Sequence, residues 1–262
     1  MKITIFSGNQ PRHLSLVKSF SQISERVFFV SEVSTVFPGK IADRLQKSPT
    51  MQSYFENVRS AEKNIFGDIQ FLPTNVRTLS IKSGDLSYLQ KPQLAEALEA
   101  DFFIVFGASF IKGWLMDFLF HNKAINIHMG LSPYYRGAVC NFWAVYDRNL
   151  GYVGATIHLL SKGLDSGDVL FHCLPNLRVG DTSFDFTMRA VLVAHKRLTE
   201  SLETGEIWNF SAVPQDPSKL VRYSRNKDFT DEKALEFLER NEELDLVDCI
   251  YPDLICPKLG SD

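Results

Sequence analysis

Short, nearly continuous apolar runs alternate along this chain with longer amphipathic stretches, separated by turns rich in Gly, Pro, Ser and Asn. Lys2 to Phe6, Arg26 to Val30 and Val76 to Ile81 read as strands. Asp101-Phe102-Phe103-Ile104-Val105-Phe106-Gly107 is apolar at successive positions, as expected of a strand covered on both faces. The spacing predicts helices over Leu14–Ser24, Thr50–Phe66, Gln93–Glu99, Val139–Arg148 and Ser183–Leu202. The second of these carries Met51, Tyr54, Phe55 and Val58 on one side, a stripe that reads as core contact. Residues 32–70 are otherwise less regular. Phe37-Pro38-Gly39 is a turn, and the segment is placed to hang as a lid over the loop after the first strand.

From Thr204 onward the pattern thins to strand fragments at Ile207–Phe210 and Leu220–Tyr223 and a helix over Asp231–Arg240. The expectation is a catalytic domain over residues 1–205 and a short C-terminal extension over 206–262.

Composition narrows the class. A chain of 262 residues with 45% hydrophobic and 23% charged residues suits one sizeable soluble core. The net charge of −3 offers no broad nucleic-acid surface. Cys140, Cys173, Cys249 and Cys256 lack metal-ligand spacing, so reduced thiols in a cytoplasm are expected, with no metal. The opening apolar run is too short for a signal peptide, and no stretch reaches membrane-spanning length. Neither GxGxxG nor GxxxxGK[ST] occurs, which removes the dinucleotide fingerprint and the P-loop.

The chemistry concentrates in Ala124-Ile125-Asn126-Ile127-His128-Met129-Gly130-Leu131-Ser132-Pro133-Tyr134-Tyr135-Arg136-Gly137. Ile125 and Ile127 read as core, so Asn126 and His128 share the opposite face at a strand end. These two alone fit a satisfied polar pair as well as a site where one group donates to an oxyanion and the other moves a proton. Further on, Leu164-Asp165-Ser166-Gly167-Asp168 places Asp165 in a turn between strand-like runs, where a carboxylate can orient an imidazole and raise its proton affinity. The loop Ser7-Gly8-Asn9-Gln10-Pro11-Arg12-His13 after the first strand reads either as a plain polar turn or as a phosphate and sugar site, with Arg12 the best phosphate candidate and Asn9 and His13 as further donors. His121, His158, His172 and His195 read as structural.

Asn-x-His, an apolar-Pro-x-Tyr-Arg-Gly loop and a later Leu-Asp-x-Gly-Asp together resemble the 10-formyltetrahydrofolate-dependent formyltransferases, best over residues 75–205. The resemblance implies an α/β fold, a Rossmann-like core with a mostly parallel twisted sheet, helices on both faces and a short extension. It implies Asn126, His128 and Asp165 as the catalytic set. It places the pterin of N10-formyltetrahydrofolate, the formyl donor, at Ser109, Phe110 and Ile111 and near Asp165, through backbone groups that do not depend on residue type. Relatives often carry Arg where Phe110 stands. Tyr135 and Arg136 lie beside the site as substrate contacts, with a packing role for the Tyr equally open.

The Asn9–His13 loop departs from the Gly- and Ser-rich loop of glycinamide ribonucleotide formyltransferases and resembles that of certain sugar N-formyltransferases. The expected acceptor is therefore a nucleotide-linked amino sugar, GDP-perosamine or a dTDP-4-amino-4,6-dideoxy sugar, for a surface polysaccharide such as lipopolysaccharide O-antigen. A homodimer, no nucleic acid and no membrane complete the expectation. The extension is shorter than the β-barrel domain of methionyl-tRNA formyltransferases, so tRNA ranks low. Glycinamide ribonucleotide formyltransferase and formyltetrahydrofolate hydrolase are the alternatives.

Overall fold

The apolar runs pair side by side because their backbone N–H and C=O groups, once buried, need partners. The computed structural model describes residues 1–37, 48–240, 244–245 and 249–260. Its elements, in chain order, are β1 (Lys2–Ser7), α1 (Pro11–Ile23), β2 (Arg26–Val33), α2 (Pro49–Phe66), β3 (Val76–Lys82), α3 (Lys91–Leu94), β4 (Phe102–Phe106), α4 (Gly113–His121) and β5 (Ile125–His128). Then follow β6 (Tyr135–Gly137), α5 (Cys140–Tyr146), β7 (Ala155–Leu159), β8 (Val169–Leu174), α6 (Ser183–Glu203), β9 (Arg222–Ser224), α7 (Asp231–Glu239) and β10 (Lys258–Leu259).

One eight-stranded sheet has the order β10-β8-β7-β5-β4-β1-β2-β3. Pairs from β3 through β5 are parallel; β7 runs antiparallel to both β5 and β8. Strand order reverses at β1, which lies between β2 and β4 and opens a crevice at the carboxyl ends of β1 and β4. A separate pair joins β6 to β9 in parallel.

Alternation along the strands sorts the core into two layers. Ile3, Ile5, Ile104 and Ile127 face a cluster with Leu16, Val17 and Phe20 of α1 and Ala194 and Leu198 of α6. Phe6, Phe103 and Val105 face the other way, against Leu115 and Leu119 of α4. Each fully buried Ile, Leu, Val or Phe among these contributes roughly 1.5–3 kcal/mol of transfer free energy. The fold is thus a mostly parallel α/β sheet with helices on both faces.

Several local expectations shift. The helix expected from Leu14 starts at Pro11, because proline fits a first helical position and His13 and Gln10 close a capping box. Gln93–Glu99 splits into α3 and a 3₁₀ turn over Ala95–Glu99. α4 starts at Gly113, whose φ of 62° breaks the preceding segment. The Ile207–Phe210 fragment is a 3₁₀ turn over Glu206–Asn209 rather than a strand; left-handed Gly205 ends α6 there and Ile207 drops into the core. α2 packs on α1, α6 and α7, burying Met51, Tyr54, Ala61 and Glu62, so the described part of the 32–70 segment is a wall of the core. The turn expected at Phe37-Pro38-Gly39 lies largely outside the described residues.

Candidate active site

β5 ends with His128, and the loop after it is pinned by its neighbours. Thr156 of β7 accepts from the Ser132 amide at 2.8 Å and donates to the Gly130 carbonyl at 2.6 Å. His172 of β8 engages the Ser132 carbonyl at 2.8 Å through Nε2 and accepts from the Ile255 amide at 2.9 Å through Nδ1. These bonds fix the direction in which His128 leaves the sheet.

The His128 ring is 6% exposed, with Nδ1 3.4 Å from Oδ1 of Asp165 and Nε2 3.2 Å from the Tyr135 carbonyl. Burial opposes charging of the ring, but the Asp165 carboxylate, and after it Cys140, outweigh burial and hold its proton affinity well above the ordinary imidazole value. Burial likewise pushes Asp165 up, and is outweighed by His128 and by the Gly137 amide that donates to it, so the carboxyl titrates below its usual range. The pair is therefore imidazolium and carboxylate at neutral pH.

Asn126 lies in β5 two residues earlier, and the antiparallel register sets it opposite His158 of β7. Its Nδ2 donates to Nε2 of His158 at 2.9 Å, while Nδ1 of His158 donates to the Leu159 carbonyl at 2.8 Å. Burial, then the nearby charge of His128, lower the His158 pKa to about 4. A neutral His158 with one fixed tautomer thus orients the Asn126 amide, whose second N–H has no partner among the described residues. His158 was read from sequence as structural. The signal available was its parity in the strand after the motif, which brings it opposite Asn126 once the two strands pair.

The remaining expected residues scatter. Arg12 lines the same cavity as His128, and its Nη1 pairs with the buried Glu62 carboxylate at 2.9 Å. Asn9 turns to Ser34, bonding its amide at 3.0 Å and its carbonyl at 3.1 Å. His13 is 3% exposed, lies tilted against the Phe106 ring and accepts from the Gln10 amide, and burial lowers its pKa well below the ordinary value. The Tyr135 side chain points away, its hydroxyl donating to Asp147 and accepting from Asn149; its carbonyl is what meets His128. Arg136 donates to the Leu164 carbonyl at 2.7 Å and so braces the Asp165 turn.

Ser109, Phe110 and Ile111 follow β4 at the crevice. The buried Glu32 carboxylate accepts from the Ser109 amide and hydroxyl and from the Gly84 amide, anchoring this loop to β2. Ser87 donates to the Phe110 carbonyl and accepts from the Lys112 amide. Among the described residues the Phe110 and Ile111 amides have no such partner; the Phe110 ring is exposed and Ile111 is buried. Glu32 was not anticipated, since a lone acidic residue at a strand end carries no sequence signature.

A cavity of about 440 Å³ opens against His128 and Cys140. Tyr54 and Phe55 of α2, Phe142 of α5, Phe184 of α6, and Phe229 and Phe237 near the chain's C-terminal helix wall it. The stripe on α2 therefore faces a cavity as well as the core. Among the described residues there is no cluster of three or more His, Cys, Asp or Glu able to hold a metal ion, and no helix long and apolar enough to cross a membrane.

Comparison with known proteins bears on this arrangement. The chain is 34% identical over 125 residues to methionyl-tRNA formyltransferase of Anaeromyxobacter dehalogenans (strain 2CP-C), a match covering 48% of this chain and 40% of that protein. The match thus spans about two fifths of that relative's length. A 4-N formyltransferase from Francisella tularensis superimposes with a TM-score of 0.54 at 15% identity, covering 100% of this chain and 98% of that one. An N-formyltransferase from Helicobacter canadensis, solved with folinic acid and dTDP-3-aminofucose, gives 0.51 at 13% identity, covering 88% and 73%. These two likenesses speak to the fold. Residues 78–202 match the family described as formyl transferase, and the span runs from β3 to α6, taking in Asn126, His128, His158 and Asp165. Over residues 78–202 the chain carries a formyl transferase domain.

Proposed function

We propose that this protein is an N-formyltransferase that moves the formyl group of N10-formyltetrahydrofolate to the primary amine of a nucleotide-linked amino sugar. The observation that carries the reading is the His128–Asp165 pair, two residues beyond Asn126 at the end of β5, with His128 on the wall of a cavity. N10-formyltetrahydrofolate supplies the formyl carbon when bound, its pterin against the amides of Phe110 and Ile111. Asn126 donates its second N–H to the formyl oxygen as negative charge develops there. The imidazolium of His128 releases the Tyr135 carbonyl, a long bond, and donates Nε2–H to the same oxygen. As the amine nitrogen bonds to the formyl carbon it gives up a proton, and N10 takes one up as its own bond to that carbon breaks and tetrahydrofolate leaves; Asp165 keeps the Nδ1 proton in place throughout. The cavity holds the amine in line with the formyl carbon and excludes water, which favours transfer over release of formate.

The walls support this class of acceptor. Aromatic rings suit the ring of a deoxy sugar, and the Arg12 guanidinium keeps N–H groups beyond the one bound to Glu62 for a phosphate oxygen. GDP-perosamine or a dTDP-4-amino-4,6-dideoxy sugar fits, in cytoplasmic synthesis of a surface polysaccharide such as O-antigen, by a homodimer. The dTDP-amino sugar bound to the Helicobacter canadensis relative supports this class. The sequence match to a methionyl-tRNA formyltransferase favours a second reading, the amine of a methionyl-tRNA.

The test is to incubate the purified protein with N10-formyltetrahydrofolate and GDP- and dTDP-linked amino sugars, methionyl-tRNA, glycinamide ribonucleotide and no amine. Mass spectrometry reads the gain of one formyl group. Formylation of a nucleotide sugar, lost in His128→Ala, is expected. Formylation of methionyl-tRNA alone would replace the sugar with tRNA, and formate from the amine-free sample alone would make the protein a hydrolase.

A further inference from the structure

The turn that carries Asp165 is held by a residue beyond the span that matches the formyl transferase family. Gln215 donates through Nε2 to the Asp165 carbonyl at 2.9 Å and to the Gly167 carbonyl at 2.8 Å. A flipped amide would set Oε1 against two carbonyl oxygens, so the orientation is fixed by chemistry. Oε1 itself is buried and has no partner among the described residues. Gln215 therefore keeps its place through its donor side alone.

The turn needs such a hold. Asp165 sits at φ 47°, a left-handed conformation that costs a residue with a side chain. Gly167 approaches β7 so closely that a Cβ there would meet the Leu159 carbonyl oxygen at 1.7 Å. Gln215 is delivered to the turn by an antiparallel bridge two residues earlier, where Val169 and Val213 exchange amide bonds of 2.8 and 2.9 Å. Arg136 grips the Leu164 carbonyl on the same turn. The described side-chain amide on this turn's Asp165 and Gly167 carbonyls thus comes from the segment after α6, far from the motif in sequence.

We propose that Gln215 is a positioning residue that holds the Asp165 turn so that its carboxylate stays on Nδ1 of His128. The catalytic part of this inference rests on the formyl-transfer reading; the effect on the His128–Asp165 pair does not. The charged and titratable groups facing that pair are Cys140 from α5, His158 from β7, Tyr54 from α2, Arg12 from α1 and Arg136 from β6. None of them is altered by changing Gln215, so a change in His128 titration reports the carboxylate.

The experiment is an NMR titration of the His128 ring in the substrate-free protein, comparing wild type with Gln215→Leu and with Gln215→Asn, whose shorter amide cannot span both carbonyls. The midpoint is expected to fall by about one unit, a tenfold loss of proton affinity. In turnover, kcat falls between about 10- and 100-fold while KM for both substrates stays near wild type. An unchanged His128 midpoint in a folded variant overturns the proposal, whether or not the protein transfers formyl groups. If the leucine variant does not fold, the asparagine variant decides by the same criterion. A shifted midpoint in a protein that formylates nothing would leave Gln215 in this role and remove the formyl-transfer reading.

Discussion

Replacing Asp165 by Asn tests the central pair most directly. The amide keeps the shape of the carboxylate and loses its charge. At 3.4 Å, with an effective dielectric constant of about 20, two unit charges attract by about 5 kcal/mol, equivalent to three to four pKa units. Both side chains are largely buried, but solvent at the turn and relaxation of the loop reduce this to about two units. Burial, which opposes the imidazolium, is then left without its main counterweight, and His128 titrates below the ordinary histidine value. The sign for stability follows. A raised folded-state pKa gives stabilisation that is fully present below the unfolded value near 6.5 and fades as pH rises through the folded value. Asp165→Asn therefore loses stability across neutral pH and less than that in strong acid, where the carboxylate itself would be protonated. At pH 7 the variant holds a neutral His128, and kcat is expected to drop about 10²–10³-fold, recovering in part as pH falls below the new midpoint. The assay is kcat against pH, beside the NMR titration of the ring. A His128 midpoint equal to that of wild type would refute the reasoning, because the attraction would then contribute nothing.

Three further outcomes are expected. His158→Phe removes the acceptor that orients Asn126, so kcat falls about tenfold with His128 still titrating high; an unchanged kcat would mean the amide finds its orientation unaided. His158 and His172 are neutral in the fold, each with its pKa lowered to about 4 chiefly by burial, and so they stabilise it above the unfolded pKa near 6.5 and lose that contribution as pH falls toward 4. Urea midpoints should drop from pH 7 to pH 5, and a flat or rising midpoint would contradict their buried neutral state. Gly137→Ala places a Cβ 2.0 Å from the Ser224 carbonyl oxygen at a φ of +94°, which should cost roughly 3 kcal/mol and lower the melting temperature by about 10 °C; a full-stability variant would show that β9 can move aside.

The strands were legible because apolar continuity marks a two-faced strand, and the grouping of Asn126, His128 and Asp165 was legible because they are polar groups where a plain core would not place them. What escaped was set by pairing across distance. His158 resembles any buried histidine until the β5–β7 register puts it opposite Asn126. Tyr135 looks like a substrate contact until its hydroxyl is taken by Asp147 and Asn149. Arg12 and His13 are neighbours in one loop, yet the first reaches the cavity wall and the second turns under Gly107, a difference of helical phase at the start of α1. The tail misled for a related reason: Leu220–Tyr223 becomes strand only where β6 offers an edge, so β9 falls at Arg222–Ser224.

The β6–β9 pair has a consequence for how the protein is made. Tyr135 aligns with Arg222, and Arg222 also clasps Asp147 through two bonds of 2.7 and 2.8 Å and lies over the Trp143 ring. During synthesis from the N-terminus, β6 leaves the ribosome long before its partner exists. The nascent chain can assemble the sheet from β3 to β5 while the backbone around Gly137, which donates to Asp165, still lacks the strand that fixes it. The waiting edge of β6 is open to pairing with another chain. Translation that stalls before residue 222 would leave a largely assembled sheet, a half-built reaction centre and a sticky rim, a species suited to capture by chaperones rather than to turnover.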